Sequence, residues 1–315
     1  YLLNAGLNYK VLDWLTLSGR VRIDDSKEKS TKEYYASTNT QLTESSTNGL
    51  YGESTLDSRQ IYADAMARVN RRFGGDWSLD AFIGTSIQDT RTYVNGIYGP
   101  IRDGSVEGET ALIPNVFNVL QISNSLSKRD VSGAKEQQQS IFSSAEIGFK
   151  SSYYLSATLR TDWPSQLAGP ESVNSSFTYP SVGLSTILSE IFNLPKEISY
   201  LKLRGSYANV GLAFKRYLSN PTYSWTGTQW STTYDSYPVK NLKPERTHSY
   251  EIGLTARFLN DFNLDVTLYN TNTLDQLINT GISPGSGYST MYIQTGDIRN
   301  RGIEVSLGYN KKWSN

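Results

Sequence analysis

From residue 247 to residue 269 the chain alternates apolar and polar residues through two segments separated by three residues. His248, Tyr250, Ile252, Leu254, Ala256 and Phe258 fall on one side of an extended strand, and Phe262, Leu264, Val266 and Leu268 continue that side, while Glu251, Arg257 and Asp265 fall opposite. Successive side chains of a strand point to opposite faces, so this rhythm gives one face suited to hydrocarbon and one suited to water. Two antiparallel strands share an apolar face only when paired residue numbers sum to an even value. An odd turn is therefore required, and a turn at 259 to 261 sets Phe258 opposite Phe262. The same construction at 150 to 152 sets Phe149 opposite Tyr153, where aromatic girdles of a membrane barrel sit.

Eleven segments show this alternation, and short connections alternate with long ones, which is the pattern of an up-and-down barrel. Leu3, Ala5, Leu7 and Tyr9 lead, then Leu15, Leu17, Val21 and Ile23 with Arg20 and Arg22 opposed. A long polar loop is expected to about residue 59. Ile61 to Val69 and Trp77 to Ile83 flank a Gly74-Gly75 turn, placing Arg68 near Asp80 on the wet face. A second long loop is expected over about 90 to 138. Ile141 to Phe149 and Tyr153 to Leu159 follow, with Thr158, Arg160 and Asp162 inward. A medium loop covers 163 to 176, and residues 178 to 188 form a less regular strand containing Pro180. Leu201 to Tyr207, with Lys202 and Arg204 inward, precede a loop at 209 to 245; a further loop at 272 to 297 precedes Ile303 to Tyr309, with Glu304 inward.

Length and composition agree with membrane strands rather than membrane helices. The chain has 315 residues, but only 37% are hydrophobic, and Tyr and Gly number 22 and 25. No apolar run approaches the roughly 18 residues that a spanning helix needs, whereas a tilted strand needs about 9 to 11 with half of them polar. Thirty basic residues balance thirty acidic ones, leaving no field that favours nucleic acid. The absence of Cys excludes disulfides, thiolate metal sites and cysteine nucleophiles. A sheet of eleven strands would leave two open edges in lipid, so the chain, which begins at Tyr1 without Met and ends at Asn315, is expected to be a partial barrel lacking further strands.

The run Asn241-Leu242-Lys243-Pro244-Glu245-Arg246-Thr247-His248-Ser249-Tyr250-Glu251-Ile252-Gly253-Leu254 resembles the late-barrel signature of SusC/RagA-like TonB-dependent outer-membrane transporters, in which a Pro-Glu pair precedes a strand carrying Glu-x-Gly. Tyr154 to Asp162, Tyr179-Pro180-Ser181-Val182-Gly183 and Asn300-Arg301-Gly302-Ile303-Glu304-Val305 are similar to further strands of that family, in its order. After Asp162 the segment Trp163-Pro164-Ser165-Gln166-Leu167 departs from the family pattern. The resemblance implies an all-β barrel of about 22 strands, of which residues 1–315 would be a partial TonB-dependent receptor β-barrel domain without plug or terminal strands. It also implies an outer-membrane location, coupling to TonB through an absent N-terminal region, a SusD-like surface lipoprotein as lid, and oligosaccharide or peptide cargo. A soluble carbohydrate-binding β-sandwich or propeller module and a passive porin are the alternatives that the residues leave open.

Candidate sites are few. His248, the one histidine, lies on the lipid-facing row and reads as an interfacial polar aromatic rather than a metal ligand or base. The inward charges Glu251, Glu304, Asp80, Asp162, Arg68, Arg160 and Arg204 read as lumenal ion pairs rather than acid/base machinery, so no catalytic residue, metal or cofactor is expected. Pro244-Glu245 marks the beginning of a strand. The loop aromatics Tyr223, Trp225, Trp230 and Tyr234 are the candidate cargo contacts, through stacking on flat apolar faces, with packing of their own loop as the competing use. Gly285-Ser286-Gly287 and Gly74-Gly75 are turns without the Lys and helix of a phosphate loop, and the Asn174-Ser175-Ser176 sequon is given no role.

Overall fold

The computed structural model describes residues 1–219, 223–225, 228–232, 236–237, 239–259 and 261–310. Eleven long strands carry the fold, and three short ones lie in the connection after residue 212. In chain order they are β1 (Leu2–Leu12), β2 (Leu15–Tyr34), β3 (Leu50–Phe73), β4 (Trp77–Pro100), β5 (Lys128–Phe149), β6 (Tyr153–Pro164), β7 (Phe177–Ile187), β8 (Ile198–Leu212), β9 (Tyr223–Trp225), β10 (Trp230–Thr232), β11 (Ser236–Tyr237), β12 (Glu245–Phe258), β13 (Phe262–Gly281) and β14 (Thr290–Tyr309). The sheet order is β1-β2-β3-β4-β5-β6-β7-β8-β12-β13-β14-β11, so each long strand neighbours the next long strand in sequence. The two residues of β11 run parallel to Thr290 and Met291, and β9 pairs only with β10. No described helix is long and apolar enough to cross a membrane.

The register follows the parity argument. Phe258 pairs with Phe262 and Phe149 with Tyr153, each across three turn residues. The rings form a belt at this end of the strands: Phe258 and Phe262 stack at 5.4 Å, Phe262 meets Tyr309 at 4.9 Å, and Trp77 meets Phe149 at 4.5 Å. The turns need left-handed backbone, with φ of 57° and 82° at Gly74 and Gly75 and of 49° and 54° at Lys150 and Ser151. Glycine adopts that region freely; the lysine and serine are held there by the ladder on either side. Pro180 pairs with Leu159 on β6, while pairing with β8 begins only at Ser181. That limit fits a residue with no N–H to donate.

The apolar rows are not buried in a core. Ile252, Ile303 and Val305 are 61–63% exposed, Ile147 is exposed, and Leu15 and Leu254 are half-buried. A soluble sandwich would cover these side chains, so that alternative fails. Buried apolar clusters occur instead where strands give way to loops: Leu167, Phe177, Phe214 and Leu242 in one place, and Tyr51, Ile101 and Ile122 in another.

Several strands are longer than alternation implies. β2 continues to Tyr34 and β3 starts at Leu50, β4 continues to Pro100 and β5 starts at Lys128, while β13 and β14 together leave only 282–289 as loop. The expected loops at 24–59, 90–138 and 272–297 are correspondingly shorter. A strand of about ten residues, rising about 3.3 Å each and tilted about 40°, spans the apolar band of about 25 Å. Beyond that height both faces are wet, so the backbone ladder persists while the two-residue rhythm disappears.

Contacts divide the chain into two units: residues Tyr1–Ala5, Val21–Tyr62 and Gln88–Glu136, and residues Gly6–Arg20, Ala63–Ile87 and Gln137–Asn315. In the first, segments with little apolar content are held by polar side chains bonding backbone. Asn48 Nδ2 donates to the carbonyls of Arg102 and Leu112 at 2.7 and 2.9 Å, and Ser46 Oγ donates to Ile101 O at 2.6 Å. Asp103 accepts from Thr47 N at 2.8 Å and Oγ1 at 3.1 Å and from Ser105 N at 3.0 Å. Burial alone would raise the Asp103 pKa, but the hydrogen bonds from Ser105 and Thr47 outweigh it and hold the carboxyl at about 2. A carboxyl depressed below its ordinary 3.8 contributes stability that is complete above that value and is lost as pH falls towards 2. Amide exchange at Thr47 should therefore accelerate between about pH 4 and pH 2 relative to the intrinsic rate, and Asp103→Asn should abolish that acceleration. An unchanged pH profile in the variant would refute this anchor.

Candidate functional site

The second unit carries the signature run 241–254, and each of its distinctive residues has a mechanical task. Asn241 takes a left-handed φ of 57°, a conformation that Asn tolerates. This turns Leu242 into the buried cluster with Leu167, Phe177 and Phe214, where its backbone bonds Glu171 O at 2.8 Å and Val173 N at 2.9 Å. Pro244 precedes the ladder, in which its missing N–H would be a defect. Glu245 Oε1 then accepts from Leu277 N at 3.0 Å, beside the register shift between Thr273 and Leu277 on β13. The bulge frees that amide from the regular ladder, and the carboxylate satisfies it.

Gly253 explains the rest of the motif. It pairs with Arg204 on β8 and with Thr267 on β13. The Arg204 guanidinium lies directly across it, so close that a Cβ on Gly253 would sit 2.5 Å from Arg204 Cζ and Nε. Crossing β12 in this way lets Arg204 reach Asp265 with two parallel bonds of 2.9 Å, and also Thr255 Oγ1 at 2.9 Å and Thr267 Oγ1 at 2.6 Å. Thr255 donates to the second Asp265 oxygen at 2.7 Å. One polar cluster thus stitches three strands on the wet face. A similar arrangement recurs one strand on, where the Tyr269 ring lies over Gly302, whose added Cβ would be 2.5 Å from the hydroxyl. Gly302 is the glycine of the Asn-x-Gly-x-Glu run.

Four of the other inward charges, Arg68, Asp80, Arg160 and Asp162, also pair. Arg68 grips Asp80 at 3.1 and 2.7 Å, with Asn70 Nδ2 adding a bond of 2.7 Å. Arg160 Nε donates to the buried Asp162 at 2.8 Å, Tyr179 Oη also donates to Asp162, and Arg160 reaches Ser140 Oγ at 3.0 Å. Arg20 meets Asp64 at 2.8 Å. Glu251 and Glu304 join none of these pairs. Carboxylates engaged by two or three donors are poor general bases, which suits a scaffold rather than a reaction centre. His248 takes its place on the outward row, its Nδ1 2.9 Å from Tyr207 Oη and its ring stacked on the same tyrosine.

A cavity of about 860 Å³ opens where 237–243 meets the ends of β13 and β14. Tyr237, Tyr288 and Tyr292 supply aromatic surface, and Lys240, Lys243 and Asp275 supply charge. Gln294 fixes the wall by donating to Lys243 O at 2.6 Å and accepting from Lys243 N at 2.8 Å. Tyr237 and Tyr288 meet edge to face at 5.4 Å. These residues were missed in the sequence; the signal was the cluster of tyrosines at 288–292 just after a Gly-Ser-Gly turn. Of the aromatics nominated instead, Tyr223, Trp225 and Trp230 lie on a hairpin pairing Trp225 with Trp230 and Tyr223 with Thr232. Their side chains, and Tyr234 altogether, fall outside the described residues.

The profile of TonB dependent receptor-like, beta-barrel proteins matches residues 1–315. The chain belongs to this family. It is therefore a section of a TonB-dependent receptor barrel of the outer membrane. Among solved structures it is similar to the RagAB peptide transporter, at 20% identity and a TM-score of 0.79, over 100% of this chain and 34% of that one. It is also similar to the ferric-catecholate import receptor Fiu from Escherichia coli K12, at 15% identity and 0.59, over 99% and 45%, and to the copper transporter OprC, at 16% and 0.58, over 99% and 44%. The chain spans about a third of the RagAB chain and under half of the other two. No curated protein matches.

The Arg204 bridge gives a direct test in the full-length barrel. Gly253→Ala should lower the thermal midpoint by displacing the guanidinium, whereas the same change in an Arg204→Ala background should be nearly neutral, a coupling readable by a double-mutant cycle. Equal effects in both backgrounds would show that Gly253 is needed for some other reason.

Proposed function

We infer that the intact protein imports an oligomeric nutrient across the outer membrane in a SusC/RagA-like cycle, with energy from TonB acting through an N-terminal plug and a SusD-like surface lipoprotein closing the mouth. Peptide is the favoured cargo and oligosaccharide the second. The observation that carries this reading is the contrast in fold similarity, 0.79 to the RagAB peptide transporter over the whole chain against 0.59 to the ferric-catecholate import receptor and 0.58 to the copper transporter. The cavity chemistry supports it: tyrosines for side-chain packing, Lys240, Lys243 and Asp275 for charged groups and termini. Oligosaccharide draws support from the hairpin bearing Tyr223, Trp225 and Trp230, with Tyr234 following, because sugar faces stack on flat aromatics.

The residues divide the work accordingly. The ion-paired wet face keeps the wall rigid while cargo and plug move past it, and the mouth cavity supplies the first selective contact. Uptake of a labelled acidic oligopeptide by cells carrying the full-length gene with its neighbouring lipoprotein should require TonB. Lys240→Glu with Lys243→Glu should reduce it about tenfold, the effect of losing one charged contact. Uptake indifferent to TonB would contradict active transport. Uptake of a maltooligosaccharide but not of peptide, impaired by Trp225→Ala with Trp230→Ala, would select the oligosaccharide reading.

A further inference from the structure

On the outward face of β3, β4, β5 and β6 two hollows lie one above the other. The first, of about 450 Å³, is a groove among the lipid-facing rows. It exists because Ala67, Ala81, Ala145 and Ala157 stand where neighbouring positions carry Ile83 and Leu159, with Ala145 and Ala157 directly paired across the ladder. The second, of about 530 Å³, begins two residues further along the same strands, with Thr85 following Ile83 and Trp163 following Leu159 and Thr161. Its polar walls include Thr85, Gln137, Gln139, Ser165 and Ser175, Trp163 and the apolar Ile141, Pro164 and Ala168 complete them, and among the described residues no charged side chain lines it. Gln139 and Trp163 form one cross-strand pair. Thr85 Oγ1 is committed to Ser140 O at 3.0 Å and Ser165 Oγ to Gln137 N at 3.1 Å, but no hydrogen bond from described residues occupies either glutamine carboxamide.

Depth decides what these hollows face. Trp163 is ten residues up β6 from Tyr153 in the aromatic belt, about 33 Å of strand and, with a tilt of about 40°, about 25 Å of membrane. The alanine groove is then within hydrocarbon, and the Trp163 pocket is at the level of the outer headgroups, where indole favours the interface. An aromatic face with free carboxamides, and without Lys or Arg, is chemistry for hydroxyl- and amide-bearing rings and not for phosphate. This pocket also falls in the Trp163-Pro164-Ser165-Gln166-Leu167 segment, where the chain departs from its family pattern.

We propose that the groove and the pocket together form a lipid site for an outer-leaflet glycolipid, one acyl chain lying along the alanines and an uncharged sugar ring stacked on Trp163 between Gln137 and Gln139. The apolar groove is continuous with the lipid-facing rows, so the occupant comes from the surrounding leaflet and not from solution. The site is separate from the mouth cavity, and it stands whichever cargo the transporter takes.

The test uses the full-length protein in tetraethylene glycol monooctyl ether, a detergent without a sugar headgroup, and native mass spectrometry of retained lipid. The probes are dioleoyl monoglucosylglycerol, phosphatidylglycerol with the same acyl chains, and free glucose. The glucosyl lipid should bind about tenfold more tightly than phosphatidylglycerol. Trp163→Ala should remove that preference, Trp163→Tyr should preserve it, and Ala145→Leu with Ala157→Leu should weaken both lipids by filling the groove. Unaltered heat-modifiable gel migration identifies variants that remain folded barrels. Equal retention of the two lipids by the wild-type protein would overturn the proposal, as would glucosyl-lipid binding that the folded Trp163 and alanine variants leave unchanged. Free glucose binding as well as the glucosyl lipid would also overturn it, since the acyl groove would then have no part.

Discussion

Hydrocarbon offers no partner to a peptide N–H or C=O, and that single constraint dictates the architecture. Each unsatisfied group costs several kcal/mol in lipid, so strands can cross only if every one is paired along its length. Here neighbours in sequence are neighbours in the sheet from β1 through β8 and on through β12, β13 and β14. With the ladder satisfied, side chains need only sort themselves by face. The wet face can then accumulate charge, and its arginines and aspartates pair across strands instead of remaining isolated.

Close approach between strands is the second requirement, and glycine supplies it on the wet face. Arg204 crosses β12 over Gly253 to meet Asp265 on the next strand, and Tyr269 lies over Gly302. Large side chains lying flat over a glycine replace the packing that a globular core would provide. The buried clusters are displaced to the loop ends, where Leu242 and Ile101 anchor the chain beyond the apolar band.

How much of this was legible depended on height in the membrane. Between the aromatic belt and the outer interface only one face is apolar, and the positions of β5, β6, β12 and β13 could be read residue by residue, down to Phe258 opposite Phe262. Above that level Lys27, Glu53 and Lys135 occupy strands whose two faces are both solvated, so periodicity carries no information and the strands looked like loops. The Arg68–Asp80 pair could be foreseen because both residues flank one short turn. The Arg204–Asp265 pair could not, because the contact skips a strand and depends on what is missing at Gly253. The cavity tyrosines at 237, 288 and 292 come from separate connections whose meeting depends on loop geometry that alternation does not constrain.

The central claim is that one side of this rhythm touches lipid and the other touches water. These 315 residues contain no cysteine, so with any cysteine elsewhere in the full-length protein replaced, single cysteines can be introduced one at a time along β12 at 250, 251, 252, 254, 255 and 256, leaving Gly253 in place, and spin-labelled in bilayers. Collision with oxygen should be high at 250, 252, 254 and 256 and low at 251 and 255, with a water-soluble nickel chelate giving the opposite pattern. Accessibilities that vary smoothly along the strand, or that alternate in the reverse phase, would contradict the account.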